Sequence, residues 1–232
     1  MKLALISDIH SNLEALTAAL EAVERFKPDE LICLGDIVGY GADPGECIEL
    51  VRNHTSRVIM GNHDAAVANL LQPENNFNDY ALTAIHWTRS VLSDDHRDYL
   101  KTLPLEILFD DLHLVHGTPG NPGSFDYVLT TYDAEVQFTN IKGSNCFIGH
   151  THRPGIYMER DPVDKTQPKR IINIGSVGQP RDGDPRLCFA LYETKTEEVE
   201  FIRVEYDIET AATKIRTAGL PALLAERLGR GG

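Results

Sequence analysis

Five short polar segments each follow an apolar stretch that suits a buried β-strand, and they carry residues that bind metals or move protons. Their order and spacing constrain the fold strongly, because all five must meet if they form one site. In open α/β sheets, sites form beyond the carboxyl ends of the strands, where loops distant in sequence converge. The segments are Asp8-Ile9-His10, Gly35-Asp36, Gly61-Asn62-His63-Asp64, His116-Gly117 and Gly149-His150-Thr151-His152.

Histidine is concentrated in these segments. Five of the nine histidines lie there, each near Gly, Asp or Asn: His10, His63, His116, His150 and His152. Each segment alone is a weak signal, but together they supply two carboxylates, one amide and four to five imidazoles. That set is sufficient for a centre of two metal ions. The remaining histidines are expected to be packed or solvated residues of helices and strands: His54, His86, His96 and His113.

The first 65 residues alternate predicted strands and helices. Strands are predicted at Leu3–Ser7, Glu30–Leu34 and Arg57–Met60. The capping box Ser11-Asn12-Leu13-Glu14 predicts the start of a helix that ends before Pro28, and Pro44–Val51 is a second helix. This β-α-β-α-β alternation is typical of parallel strands in a buried sheet.

The rest of the chain is first helical and then rich in strands. Residues from about Ala65 to Leu103 are predicted to form three helical pieces, with Ser93 as a cap and Pro104 as the stop. Strands are predicted at Ile107–Phe109, Leu112–Val115, Cys146–Ile148, Arg170–Ile174, Leu187–Tyr192 and Val199–Tyr206. Helices are predicted at Asp133–Phe138, at Asp207–Thr217 with Asp207 as its cap, and at Leu220–Leu228. Asp161–Lys169 is expected to be an exposed turn and Gly229–Gly232 a frayed end.

These elements predict an α/β fold in which two sheets pack together with helices outside. We expect one domain over residues 1–232, with a helical insertion at about 65–103. The net charge of −13 should repel nucleic-acid backbones, so broad nucleic-acid binding is not expected. Neither a membrane span nor a signal peptide is expected. The four cysteines form no C-x-x-C pair, which indicates reduced thiols in a cytoplasmic protein.

The order D-x-H, G-D, G-N-H-[DE], H and G-H-x-H resembles the calcineurin-like metallophosphoesterase superfamily, and in particular its small prokaryotic members of phosphodiesterase type. The pattern runs from Asp8 to His152, and its flanks reach Asn173-Ile174-Gly175-Ser176, so it covers most of the chain. The resemblance implies an αββα architecture, in which two mixed β-sheets form a sandwich flanked by helices. It also implies an enzyme that uses two divalent metal ions to hydrolyse a phosphoric ester.

The resemblance assigns a role to each segment. The first metal ion would be held by Asp8, His10, Asp36 and His152. The second would be held by Asp36, Asn62, His116 and His150, so that Asp36 bridges the two ions. His63 would face the substrate and protonate the leaving group, and Asp64 would orient His63, as carboxylates commonly do for imidazoles.

One segment departs from the superfamily's pattern. Members often continue G-D-x-x-D-R or G-D-x-x-D-[RY], whereas this chain has Gly35-Asp36-Ile37-Val38-Gly39-Tyr40. The missing Asp and Arg remove a phosphate clamp, which argues against a protein phosphatase. Tyr40 and Arg181 are the candidate substrate contacts, with loop packing and a surface ion pair as their respective alternatives. The loop Thr118–Phe125 is expected to shape the pocket wall, and the helical stretch 65–103 to cap the site.

The donor set limits the metal. Mixed nitrogen and oxygen ligands favour Mn, Fe, Co, Ni or Zn over Ca, and Mg is also open; we expect Mn first. Two divalent ions outweigh the charges of Asp8 and Asp36, so the site stays cationic and suits a phosphate ester. The ions would lower the pKa of a bridging water, and the resulting hydroxide would attack phosphorus in line.

We therefore predict a dinuclear metal-dependent phosphodiesterase that acts on a small nucleotide-type substrate and has no membrane partner. The alternatives within the enzyme class are a phosphomonoesterase or protein phosphatase and a dinucleoside polyphosphate hydrolase. Outside it are a non-enzymatic scaffold and a one-metal binding protein. The complete set of metal ligands argues against the scaffold. The sequence indicates no particular oligomeric state.

Overall fold

Two mixed β-sheets form the centre of the molecule. The computed structural model describes residues 1–75, 77–160 and 168–232. The strands in these residues are β1 Lys2–Ile6, β2 Glu30–Cys33, β3 Glu106–Phe109, β4 Leu112–Val115, β5 Asn145–Ile148, β6 Gly155–Met158, β7 Arg170–Asn173, β8 Leu187–Glu193 and β9 Glu198–Val204. The helices are α1 Leu13–Phe26, α2 Pro44–His54, α3 Asn62–Val67, α4 Asp79–Val91, α5 Asp94–Thr102, α6 Thr131–Gln137, α7 Ile208–Thr217 and α8 Ala222–Arg230.

Parallel strands occur in both sheets, at one edge of the first and in the middle of the second. The first sheet has the order β2-β1-β8-β9 and the second the order β3-β4-β5-β7-β6. β1 pairs in parallel with β2, and β5 in parallel with both β4 and β7. The other pairs are antiparallel. The carboxyl ends of β1 and β2 in one sheet, and of β4 and β5 in the other, are therefore available to build one site.

The sheets pack face to face, and helices cover their outer faces. Side chains alternate along a strand, so Leu3 and Leu5 of β1 lie in the core shared with the second sheet, which includes Phe147. Ala4 and Ile6 pack instead in the cluster that contains α1 and α2. On the far side, residues of β5 and β7 pack against α6. The predicted α/β fold of two mixed sheets flanked by helices is thus confirmed.

The predicted strand Arg57–Met60 is wrong. Only one parallel bridge forms, between Cys33 and Val58. The Ile59 N–H donates to the Cys33 carbonyl (3.0 Å), but the next N–H on that side, from Gly61, donates to the Asp64 carboxylate (3.1 Å) instead of to β2, so the ladder stops after one pair. Residues 57–60 still bring the chain to the start of α3 beside the end of β2.

Two helix caps are confirmed and one is wrong. Ser93 and Asp207 cap α5 and α7, because their side chains accept hydrogen bonds from the backbone N–H three residues on. The cap of α1 is Asn12 rather than Ser11: the Asn12 side chain accepts from the N–H of Ala15. Ser11 has a left-handed backbone (φ 54°) and belongs to the loop that follows β1.

The end of the chain is docked rather than frayed, contrary to the prediction for Gly229–Gly232. α8 continues through Arg230, and Gly231 closes it in a left-handed conformation (φ 65°) with its N–H bonded to the Arg227 carbonyl. The Gly231 carbonyl accepts a hydrogen bond from Gly183 (2.8 Å). This contact ties α8 to the loop that carries Arg181.

Strand β6 was not predicted from the sequence, because it is short, follows Pro154 and lies at a sheet edge. The predicted turn Asp161–Lys169 falls largely on residues 161–167, outside the described residues. The predicted helical stretch contains the second half of α3 together with α4 and α5. None of the helices in the described ranges is long and apolar enough to cross a membrane.

Candidate metal centre

The five polar segments meet at one end of the sandwich. Asp8 and His10 follow β1, and Asp36 follows β2. His116 follows β4, His150 and His152 follow β5, and Asn62 and His63 begin α3. All of these side chains are buried. Three groups of carboxylates and imidazoles form here, and within each group the possible ligand atoms lie within 4.8 Å of one another. One group is Asp8, His10 and His152, another is His10, Asp36 and His63, and the last is Asp36, His116 and His150.

The backbone of the site is unusual. Five of the predicted ligands adopt a left-handed conformation, with φ between 50° and 67°: Asp8, His10, Asp36, His150 and His152. Such angles are uncommon outside glycine and cost on the order of 1–3 kcal/mol each. Strain of this kind persists only where the surroundings fix it. Here the N–H groups of Ile9 and His10 both donate to the Asp36 carbonyl (2.8 and 3.0 Å), which joins the first two loops.

Two glycines let the carboxylates approach the backbone. A Cβ at Gly61 would lie 2.0 Å from Oδ1 of Asp36, and a Cβ at Gly149 would lie 2.5 Å from Oδ2 of Asp8. Asp36 Oδ1 accepts the N–H of His63 (2.8 Å), and the Asp8 carboxylate accepts the N–H of His150 (3.0 and 3.2 Å). The remaining lone pairs of each carboxylate are thus available to bind a metal ion.

Asp8, His10 and His152 form the first ligand group. Nε2 of His152 lies 3.3 Å from Oδ1 of Asp8, and Nε2 of His10 lies 3.9 Å from the same oxygen. The two Nε2 atoms are 3.1 Å apart. Asp36 Oδ2 adds a carboxylate oxygen 3.7 Å from Nε2 of His10.

Asp36, His116 and His150 form the second group. Nε2 of His116 lies 3.3 Å from Oδ2 of Asp36 and 3.2 Å from Oδ1 of Asn62. The rings of His116 and His150 have centroids 4.9 Å apart. The same oxygen of Asp36 therefore faces both groups, which is the position predicted for a bridging carboxylate.

Backbone carbonyls fix which ring nitrogen faces the centre. Nδ1 of His10 lies 3.1 Å from the Val38 carbonyl, and Nδ1 of His152 lies 2.6 Å from that of Gln179. Nδ1 of His116 lies 2.7 Å from the Leu34 carbonyl. A carbonyl oxygen only accepts, so each Nδ1 carries a proton and Nε2 is the nitrogen that faces the centre.

The ionisation of the side chains suits metal binding. Burial alone would raise the pKa of Asp8, but His152 and His116 outweigh it and lower the value. Burial would likewise raise the pKa of Asp36, and His116 and His63 lower it. Burial lowers the pKa of His10 and His152, and lowers that of His150 to about 3. Ionised carboxylates and neutral imidazoles are the forms that coordinate metals.

Two observations indicate that divalent cations fit here. Among the described residues no hydrogen-bond partner reaches the buried Nε2 of His150. The Nε2 atoms of His10 and His152 present two lone pairs to each other at 3.1 Å. A buried polar atom without a partner is costly, and a cation at each ligand group would satisfy these three nitrogens.

His63 lies beside the ligands, held by aromatic rings. Its ring centroid is 4.5 Å from Tyr40, 4.8 Å from His10 and 4.9 Å from Phe77. Its buried Nδ1 has no hydrogen-bond partner in the described ranges and points towards Gly39, where a Cβ would come within 2.4 Å. Burial lowers the pKa of His63 to about 4.

Asp64 has a different role from the one predicted. Its carboxylate accepts the backbone N–H groups of Gly61 (3.1 Å) and Val38 (3.2 Å), and no hydrogen bond between described atoms joins it to His63. Burial, with a smaller contribution from Asp36, raises the pKa of Asp64 to about 7. Asp64 therefore joins the start of α3 to the loop after Asp36, and it orients His63 only through the backbone.

Tyr40 and Arg181, the two predicted substrate contacts, are neighbours. The Arg181 guanidinium lies 5.6 Å from the centre of the Tyr40 ring, and its charge acts on both His63 and His152. Arg181 donates to Gln179 (3.0 Å), while its buried Nε has no partner within the described chain. The Tyr40 ring packs with α4, α7 and α8. The Tyr40 side chain is thus supported from behind by the C-terminal helices.

Sequence reasoning missed two residues of the site. Asn173 at the end of β7 donates to the Gly149 carbonyl (2.6 Å) and to the Thr151 hydroxyl (2.8 Å), and so holds the loop of His150 and His152. It lay in the flank of the recognised pattern, without an assigned role. Tyr127 stacks on His150 with centroids 3.9 Å apart. The only feature of the sequence that could have indicated Tyr127 is its position, two residues beyond the loop expected to form the pocket wall.

The expected wall loop, Thr118–Phe125, lies next to the second ligand group. It contains a short 3-10 turn at Pro122–Ser124, and Phe125 adopts a left-handed conformation (φ 54°). The Phe125 ring meets that of His116 edge to face, with centroids 6.2 Å apart. Ahead of α4, Phe77 contacts His63, so the helical stretch also borders the site.

The sandwich and its buried cluster of histidines and aspartates define a metal-binding α/β protein of the phosphoesterase class, and comparison with known proteins agrees. Residues 1–197 match the calcineurin-like phosphoesterase superfamily domain. An uncharacterized protein of Methanocaldococcus jannaschii is 38% identical over 239 residues, across 97% of this chain and 96% of that protein. The chain belongs to the calcineurin-like phosphoesterase superfamily.

Two solved structures extend the similarity to the whole chain. A metallophosphoesterase from Sphaerobacter thermophilus is 38% identical with a TM-score of 0.87, and the match covers 100% of both chains. A hypothetical protein from Pyrococcus horikoshii is 27% identical with a TM-score of 0.86, covering 100% of this chain and 98% of that one. Both matches include β9, α7 and α8, which lie beyond the superfamily domain.

Proposed function

We propose that this protein hydrolyses phosphodiesters with two divalent metal ions, and that its substrate is a small nucleotide-type ester. The position of Asp36 carries the proposal. Its Oδ2 lies 3.7 Å from Nε2 of His10 and 3.3 Å from Nε2 of His116, so one carboxylate oxygen serves both ligand groups. A shared carboxylate is characteristic of two-metal sites that clamp a phosphoryl group.

The residues that would hold the ions divide between the two groups. Asp8, His10, Asp36 and His152 would hold one, and Asp36, Asn62, His116 and His150 the other. Nitrogen and oxygen donors without thiolate favour Mn or another transition metal over Ca, and we expect Mn. Ions bound there would lower the pKa of a coordinated water to near neutrality and offset the charge of the phosphate.

The protein's own side chains would bind and orient the ester. Arg181 is the charged donor next to His63 and Tyr40, and its free Nε suits a phosphate oxygen. Nδ1 of His63 points towards Gly39, so Nε2 is the nitrogen that would protonate the leaving alkoxide. Tyr40 would line the same wall through its ring or hydroxyl.

The charge of the site supports a diester over a monoester. The chain lacks the Asp–Arg pair expected after Asp36, so Arg181 is the one cationic side chain that we assign to the phosphate. A diester carries one negative charge where a monoester carries up to two. One guanidinium together with the metal ions suits the smaller charge.

Paired aryl esters test the proposal. Hydrolysis of bis(4-nitrophenyl) phosphate and of 4-nitrophenyl phosphate would be measured with Mn²⁺, before and after treatment with a chelator. We expect faster turnover of the diester and loss of turnover with the chelator. Faster turnover of the monoester would move the function to a phosphatase. No turnover of either ester by protein that binds metal would contradict the proposal.

His63 has a matched control. His63→Ala should keep its metal and lose roughly 10²–10⁴-fold in turnover of esters with poor leaving groups, the usual contribution of a general acid. His86→Ala, at an exposed position of α4, should behave like the unaltered protein. Equal activity in both variants would remove the acid role of His63.

A further inference from the structure

Tyr127 presents an aromatic face next to a proposed metal ligand. Its ring lies parallel to the His150 imidazole, with an interplanar angle of 14° and centroids 3.9 Å apart. His150 is 4% exposed, whereas Tyr127 is 49% exposed. Because His150 covers one face of the tyrosine ring, the exposed half of Tyr127 comprises the opposite face and the edge.

Tyr127 is also near the candidate phosphate contact. Burial raises the pKa of Tyr127, and the positive charge of Arg181 opposes the rise. Tyr40 and Asp36 act on the same hydroxyl. The charges of Arg181 and Asp36 thus act on the Tyr127 hydroxyl, and the stacking on His150 places the ring beside the second ligand group.

Buried residues before and after Tyr127 in the chain hold its backbone in place. Phe125 is buried with its ring against His116, and Val128 is buried in the core beneath the second sheet. Gly117 packs so closely on this segment that a Cβ there would lie 2.8 Å from the Asp126 carbonyl. A rigid aromatic side chain loses little entropy when a ligand stacks on it.

We propose that Tyr127 is a stacking platform for the planar base of the substrate, and therefore a residue that determines specificity. The inference rests on the proposed hydrolysis of nucleotide-type esters and adds the contact that would recognise the nucleoside. Bases stack on aromatic side chains through their π-faces, whatever the base. The phosphate would lie at the metal ligands, and the base on the open face of Tyr127 beside them.

A purely structural role makes a different prediction. If Tyr127 only packed against His150, its removal would disturb the metal site and would slow every substrate alike. A platform for the base strengthens the binding only of substrates that carry a base. The two roles are therefore separated by comparing two esters that share one leaving group.

The test uses the metal-loaded protein with thymidine 5′-(4-nitrophenyl phosphate) and methyl 4-nitrophenyl phosphate. Tyr127→Ala should lower kcat/KM for the thymidine ester on the order of tenfold, mostly through KM, the scale of one lost base stack. Its kcat/KM for the methyl ester, which has no base, should fall much less, so that the ratio of the two values drops, and it should still bind metal. Tyr127→Phe should keep the preference for the thymidine ester, because the ring remains.

Tyr132→Ala provides the matched control. Tyr132 lies in α6 and is 79% exposed, so its loss should change neither ester's hydrolysis. Equal losses on both esters in Tyr127→Ala, with lowered metal content, would overturn the platform and leave Tyr127 as packing for His150. An unchanged preference for the thymidine ester in that variant would overturn it as well.

Binding separates failure of this inference from failure of the proposed function. If neither ester is hydrolysed, the proposed function fails, and calorimetry of the Mn²⁺-loaded protein with thymidine 5′-monophosphate and methyl phosphate still decides the role of Tyr127. A preference for the thymidine compound that Tyr127→Ala abolishes and Tyr127→Phe retains would support the platform. Equal affinity for both compounds in the unaltered protein would overturn it.

Discussion

The Nε2 atoms of His10 and His152 face each other at 3.1 Å, although each ring already directs its Nδ1 to a backbone carbonyl. Two acceptor lone pairs at this distance repel, so the arrangement is favourable only with a cation beside them. The same side chains are buried on backbone of left-handed conformation. The fold therefore maintains a strained, electron-rich cavity that bound metal would relieve.

Metal removal should lower the stability of the protein. An ion that binds only the folded state adds about 2.7 kcal/mol to the free energy of unfolding at a concentration 100 times its Kd. We expect the melting temperature to rise with Mn²⁺ concentration and to fall after treatment with a chelator. Calorimetric melting checks this, and a melting temperature that is independent of Mn²⁺ would contradict it.

The metal-free protein should lose stability at alkaline pH. Burial opposes protonation of His116, but Asp36 and Asp8 prevail and raise its pKa from 6.5 to about 9. A raised pKa contributes stability that is complete below about pH 6.5 and is lost as the pH rises through 9. Urea unfolding of chelator-treated protein at pH 6 and pH 9.5 measures the loss. With Mn²⁺ bound this contribution of His116 should vanish, because the ligand nitrogen then carries no proton. If the free energy of unfolding fell equally with pH in the presence and absence of Mn²⁺, this would argue against His116 as a ligand.

Gly149 should tolerate no side chain. A Cβ there would lie 2.1 Å from the Ser7 hydroxyl and 2.5 Å from the Asp8 carboxylate. Gly149→Ala should displace Asp8, cost about 1–3 kcal/mol of stability and weaken metal binding. The matched change is Gly155→Ala, where nothing lies within 4 Å of the new Cβ. Urea unfolding and metal analysis of both variants check the contrast, and equal behaviour would show that the loop is not closely packed.

Asn173 should support metal binding without touching the metal. Its amide holds the Gly149 carbonyl and the Thr151 hydroxyl. Asn173→Ala should weaken metal affinity roughly 10–100-fold, the usual effect of losing a group that orients the ligands. Asn145→Ala is the control, since Asn145 is equally buried but bonds Tyr192 and Arg170 at the start of β5. That variant should lose stability and keep its affinity for Mn²⁺ in a calorimetric titration; equal affinities in the two variants would contradict the role of Asn173.

Docking of the C-terminus should affect substrate binding. A Cβ at Gly231 would lie 2.6 Å from the Asp184 backbone, at a φ of 65°. Gly231→Ala should therefore loosen the loop of Arg181 and raise KM while leaving metal content unchanged. Gly229→Ala places a Cβ in open space within α8 and should instead stabilise the helix by about 0.5–1 kcal/mol. Steady-state kinetics distinguish the two variants. An unchanged KM for Gly231→Ala would show that docking of the C-terminus does not influence substrate binding.

The sequence predicted which side chains meet at this end of the sandwich, because its signal is chemical. Imidazoles and carboxylates are rarely buried without a purpose, and their positions after apolar runs place them at strand ends. The paired sheets followed from the change from alternating strands and helices to strands alone. These features depend on residue type and spacing, which a sequence displays directly.

Other features depend on contacts that a sequence does not display. The Met60 N–H bonds to Pro104, about forty residues on, and the Gly61 N–H bonds to the Asp64 carboxylate, so the strand that local propensity predicts does not continue along β2. Asp64 bonds to backbone N–H groups, one of them across the loop at Val38, instead of to the adjacent imidazole. The left-handed backbone of Asp8 and His150 is imposed by neighbouring loops, since neither residue type favours it as glycine does.

The central claim is that two metal ions share Asp36. Anomalous diffraction from crystals grown with Mn²⁺ tests it most directly, because the positions of the ions are then seen. We predict two peaks flanking the Asp36 carboxylate, about 3.5–4 Å apart as in other two-metal sites. One should lie by His10 and His152, the other by His116 and His150. A single peak, or peaks away from Asp36, would contradict the account.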